Sequence, residues 1–237
     1  MQRQKRTSFL ESPRFQVPAT WVWNVVGTFV VAAVVAVALP QNIALDRTAL
    51  ARQPSLALIP IFAEIILVGL LPVIFSMLRR DKAAEYGITG KGLLPGLALS
   101  VAVVAAYFAY LSLRAGHLTT SVQLPGLQQA TIGHALLALL ALAAYGPLEV
   151  FFVLWLVHNT DRIFKTEAQT WSRGLLLTIA IYALLHSFSQ GANSLVIAAE
   201  MLALGLIFKS TRNSIGPMLA FMFMNEYGWF LAGVFLP

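Results

Sequence analysis

Four carboxylates and one amide sit inside stretches of this chain that are otherwise apolar: Glu64, Glu149, Glu200, Glu226 and Asn225. Three histidines, His134, His158 and His186, lie in or at the ends of such stretches. Glu149 stands out, in AYGPLEVFFVLWLVHN (Ala144–Asn159), just after Gly146-Pro147, a pair that weakens a helix. An acid deep in an apolar helix is costly and calls for a partner or a purpose. A glutamate beside a histidine in a wet pocket activates water as a general base. An asparagine amide donates to the oxyanion that such an attack creates. The same groups can equally serve only to bond helices to one another, at about 0.6–2 kcal/mol each. Nucleophilic serine chemistry lacks an elbow motif, HExxH is absent, and with no cysteine there is no thiolate nucleophile or Cys-based metal site.

The elements that position these groups are membrane spans. Of 237 residues, 58% are hydrophobic and 11% are charged, where a soluble domain carries roughly 25% charged residues. Mean hydropathy is +0.76. The expectation is an all-α, polytopic transmembrane bundle of about seven spans: Trp21–Leu39, Leu56–Leu78, Leu93–Leu113, Ile132–His158, Gly174–Phe188, Leu195–Phe208 and Ile215–Leu236. The first is read as a retained helix rather than a signal peptide. Polar loops are expected over Pro40–Ser55 and His117–Thr131. One domain covers 1–237, with a basic cytoplasmic segment at 1–18 and no internal repeat. With the N-terminus inside and the C-terminus outside, only Arg47, Arg52 and Arg114 of the 16 lysines and arginines fall on the outer side, as the positive-inside rule requires. The net charge of +6 therefore sets topology, and nucleic acid is excluded as a partner.

Counting about 1.5 Å per residue from the cytoplasmic ends places Glu149 roughly 14 Å deep, His186 about 18 Å and Asn225 about 16 Å. All three thus fall near the middle of a hydrocarbon core about 30 Å thick. His134 and His158, near span ends, are expected at the interface. Glu226 follows Asn225 and on one helix would point to another side. Glu64 and Glu200 are expected to pair with each other, to be protonated or to face a cavity. A carrier coupled to ions through these two is a third class of reading, with no inverted repeat behind it.

The order of three motifs resembles the CPBP family, the CAAX-protease and bacteriocin-processing intramembrane proteins also called the ABI family. Its motifs are EExxxR after a proline, FxxxH and HxxxN. Pro147-Leu148-Glu149-Val150 is similar to the first, Tyr182 to His186 to the second, and Phe221 to Asn225 to the third. Glu85-Tyr86-Gly87-Ile88 and the turn between Gly205 and Pro217 resemble the stretches before the family's core and before its last motif helix. The resemblance spans 86–227. It implies Glu149 as the water-activating carboxylate, His186 as its partner, and Asn225 as an oxyanion or ligand group, with zinc only if proteolysis persists. The departures are Val150 at the second glutamate, Leu154 at the arginine and Phe221 at the histidine of the last motif. They imply a decayed centre: a non-catalytic accessory or scaffold subunit among other integral membrane subunits, or a holder of a lipid or isoprenoid ligand. The alternative is a working endopeptidase that uses Glu149 and His186. Membrane lipids are expected partners and a bacterial inner membrane the location.

Overall fold

A computed structural model describes residues 9–38, 47–119 and 129–236. The start of the basic N-terminal segment and parts of the two expected polar loops lie outside the described residues. Regular structure among the described residues is helical throughout. The second helical run comprises α2 (Arg47–Arg52), α3 (Leu58–Glu64), a widened π-turn (Ile65–Gly69) and α4 (Leu70–Arg79). It follows α1 (Pro13–Ala38), which begins earlier than Trp21 because Pro13 suits a first helical position. Next come α5 (Leu93–Ala115), then α6 (Ile132–Ala143), a second π-turn (Ala144–Leu148) and α7 (Glu149–Phe164). The chain continues as α8 (Arg173–Gln190), α9 (Ser194–Thr211), α10 (Ile215–Met224) and α11 (Glu226–Phe235).

Helices this long and apolar are compatible with an integral membrane protein. Among the described residues five runs meet the length and apolarity of a span, and a sixth if α10 and α11, bent by 70°, count as one. The expectation of seven differs in the 39-residue run Arg173–Thr211, counted here once. That run turns back at Gly191–Asn193, so α8 and α9 pack together. A Cβ on Gly205, late in α9, would lie 2.5 Å from Leu175, early in α8.

Both π-turns accompany a proline. A proline ring collides with the carbonyl four residues back, which is Val68 for Pro72 and Ala143 for Pro147. The ladder widens at each place, and Tyr145 leaves helical geometry altogether (φ −91°, ψ 15°). The indole of Trp23 donates to the Ile66 carbonyl in the first π-turn at 3.0 Å. The two turns abut: a Cβ on Gly69 would come within 2.9 Å of the Leu148 methyls. α7 runs through the centre, buried along Phe152–Val157, and is covered by α1, α8, α9 and α10.

One end of the bundle is locked by charge. Arg79 donates to Asp81 at 2.5 Å and 2.9 Å, to Asn159 at 2.6 Å and to the Tyr86 hydroxyl at 2.7 Å. Tyr86 in turn donates to Asp81. Burial, then this bond to Asp81, raises the Tyr86 phenol above its ordinary pKa, so it stays a donor. Arg162 reaches Glu85 at 3.0 Å. Lys209 pairs with Asp161 at 2.6 Å, and Asp161 also accepts from Thr166 and from the Gly174 amide. Three basic residues at this end, Arg80, Lys165 and Arg212, close α4, α7 and α9 in the left-handed region, where a cation also meets the helix dipole.

Lys209 and Asp161 are almost wholly buried. Lys209→Met should lower unfolding stability in detergent by about 3–5 kcal/mol, because it strands a buried charge. Adding Asp161→Asn should recover most of that loss.

Candidate functional site

Glu149 is the first residue of α7, immediately after the second π-turn, and is 8% exposed. Both of its oxygens are engaged. The Tyr182 hydroxyl, on α8, donates to Oε1, and the Asn225 amide donates to Oε2 at 3.3 Å. Asn225 can do this because the chain breaks there: its backbone is extended (φ −76°, ψ 95°) between α10 and α11. Its Oδ1 accepts from the Gly228 amide at 3.0 Å and caps α11. That bond leaves the NH₂ group for Glu149.

His186 sits one helical turn after Tyr182, its ring 4.0 Å from the tyrosine ring, centre to centre. Its Nδ1 lies 3.0 Å from the Tyr182 carbonyl. A carbonyl only accepts, so Nδ1 carries the proton and, in the neutral ring, Nε2 is the free basic nitrogen. No hydrogen bond joins His186 to Glu149 among the described residues.

Glu149, His186 and Asn225 line one cavity of about 320 Å³. Glu64, Glu200 and Glu226 line it too, with tyrosines 107, 110, 145, 182 and 227. Arg114, Gln190 and Asn193 form an exposed rim at the end of the bundle opposite the ion-paired cluster, and Arg47 joins them, stacked 5.3 Å over the Phe230 ring. Along α8, Tyr182 lies about 12 Å below Gln190, and along α9 Glu200 lies about 10 Å below Asn193, from helical rise. The cavity therefore carries cations at its mouth and acids toward its floor.

The positions expected from sequence fall out as follows. Glu226 faces the same cavity as its neighbour Asn225, because the break at Asn225 removes the helical phase that would have separated them; the Tyr107 hydroxyl donates to it at 3.5 Å. Glu64 and Glu200 share the cavity wall without an ion pair or hydrogen bond among the described residues. His134 is exposed. His158 is half-buried within the bundle, its ring 5.3 Å from that of Tyr86, and its Nε2 has no partner among the described residues. Of the three departed motif positions, only Phe221 lines the cavity; Val150 and Leu154 are packed in the core.

Tyr182 is the site residue that sequence reasoning passed over. Its signal was present, four residues before His186 and so on the same helix face. Arg47, Arg114, Tyr107 and Tyr145 gave no such signal, because only the assembled bundle brings them to the cavity. Zinc ordinarily takes three strong protein ligands. Among the described residues no three His, Asp or Glu side chains are grouped in that way, and the Glu149 oxygens already hold donors, so the residues present do not fit it. Compared with protein-family models, curated proteins and solved structures, the chain matches none.

Tyr182→Phe removes one donor from a buried carboxylate. It should destabilise the protein in detergent by about 1–3 kcal/mol, read as a lowered melting temperature, and adding Glu149→Gln should restore part of the loss.

Proposed function

We propose that this chain is a polytopic membrane protein of CPBP-like fold whose carboxylate-lined cavity binds rather than cleaves, and that it serves as an accessory subunit of a membrane assembly. One observation carries the reading: Tyr182 and Asn225, not His186, hold the oxygens of Glu149. A general base must present its carboxylate to water. Here that carboxylate instead ties α7 to α8 and to the α10–α11 break. The apolar side chains at the family's other polar positions support the same reading, since they remove the cost of burying further charge. A lipid or isoprenoid ligand in the cavity is compatible with this role.

The topology proposed with it counts α8 and α9 as separate crossings and α10–α11 as one broken crossing, giving seven. The end with the ion-paired cluster faces the cytoplasm and the cavity mouth faces outward. The charge bias of the loops supports this orientation. A bacterial inner membrane follows from that bias and from the family resemblance.

A second reading, an intramembrane endopeptidase, is favoured by one fact: Glu149, His186 and Asn225 do meet around a single cavity. In that reading a side-chain movement frees Glu149 to deprotonate water, His186 assists through Nε2, and Asn225 steadies the tetrahedral oxyanion.

Purification in mild detergent should bring down stoichiometric membrane partners, and Glu149→Ala and His186→Ala should leave that assembly intact. Isolation as a partnerless monomer overturns the accessory role. Cleavage of membrane peptides by the purified protein, abolished by either alanine change, would establish the peptidase instead.

A further inference from the structure

Glu64 borders two cavities. One is the cavity of Glu149; the other, of about 450 Å³, is a groove between α1 and the second helical run. Val31, Ala32 and Val35 form one wall of the groove, and Ile59, Ala63 and Leu67 the other. The helices touch below it, where a Cβ on Gly27 would come within 2.2 Å of Leu67, and they diverge beyond that point. Glu64 and Tyr145 form the partition that the two cavities share.

The polar groups of the groove are few. The Thr28 hydroxyl donates to the Asn24 carbonyl at 2.7 Å, and the Tyr145 hydroxyl to the Pro60 carbonyl at 3.0 Å. Glu64 is the one carboxylate in its lining among the described residues, and it has no hydrogen-bond or ion-pair partner among them. Behind it, across the partition, stand Glu149 and Glu200, while Arg47 and Arg114 lie in the other cavity's wall.

We propose that the groove binds an amine-bearing amphiphile, its alkyl chain between α1 and α3 and its ammonium group against Glu64. A carboxyl group in apolar surroundings ionises only where a counter-cation stands beside it and otherwise keeps its proton; an ammonium delivered on an alkyl chain supplies that cation without adding unburied polar surface. A fatty acid of equal length would meet like charge at Glu64 and again at the carboxylates behind it. A fatty alcohol would fill the groove and leave the charge unmatched. Binding of this kind, apolar walls with one well-placed polar group, is the usual composition of a small-ligand site. The proposal rests on the membrane-spanning reading. It is independent of the accessory or peptidase roles, because Glu149 does not line the groove.

The test uses the full-length protein in phosphatidylcholine nanodiscs and measures uptake of hexadecylamine, hexadecanol and palmitate above that of empty nanodiscs. Hexadecylamine should be retained at least tenfold more than either of the others. Glu64→Gln should bring it down to the level of the alcohol. Ala32→Phe, on the exposed α1 wall, should block the amine while leaving the fold intact by circular dichroism, and Glu149→Gln should leave the amine preference in place. Equal uptake of the three chains, a preference that survives Glu64→Gln, or amine binding undiminished by Ala32→Phe would each overturn the proposal. Loss of the preference in Glu149→Gln alone would move the site to the other cavity and overturn it as well.

Discussion

A carboxylate in the middle of an apolar bundle has to be given donors, and the arrangement of half of this molecule follows from how Glu149 receives them. Tyr182 comes from α8, which must lie against α7 with that face inward. Asn225 comes from a place where the helix stops, because a residue within an unbroken helix could not turn one end of its amide to Glu149 and the other to the Gly228 backbone. The break between α10 and α11 is therefore part of the solution to burying an acid rather than a defect of the last span. Removing water from a charged group is compensated only where its hydrogen bonds are replaced in full.

The two π-turns solve a related problem. Each places a glutamate at its edge: Glu64 precedes the first and Glu149 follows the second. Widened turns of this kind recur at functional positions because they change the direction in which the following side chains point without ending the helix. Packing Leu148 against Gly69 brings the two irregular turns together. The two acids that they place consequently open onto a common cavity, while most of the helix surface around them stays apolar.

Much of this is legible in the amino-acid sequence. The apolar runs and the weak point at Gly146-Pro147 follow from local composition, and helical rise already groups Glu149, His186 and Asn225, which line one cavity. Less legible was anything that depends on a helix ending where hydropathy continues. The stretch from Ile215 to Leu236 reads as one apolar run, so Glu226 was assigned to a different face from Asn225; the extended backbone at Asn225 has no signature in hydropathy. Asn is a good helix cap, and that property, weighed against a continuous span, was the available clue. Tyr182 was hidden for another reason. It occupied a motif position as an aromatic, and only the placement of α8 shows that its hydroxyl, not its ring, makes the contact with Glu149. The rim arginines are farther still from sequence logic, since Arg47 and Arg114 sit 67 positions apart in the chain and meet the cavity from different elements.

The bundle's two ends are unlike in what holds them. At one end Arg79, Asp81, Arg162, Lys209 and Asp161 stitch α4, α7, α8 and α9 through bonds made largely out of contact with solvent. At the other, Arg114, Gln190 and Asn193 stand exposed around an opening. The two ends are fastened by different forces: ion pairs hold the first, and apolar packing of Leu50, Ala57 and Ile61 against Ala138, Leu231 and Phe235 holds the second. A guest approaching from the rim therefore meets exposed cations before it meets the hydrogen bonds that hold Glu149.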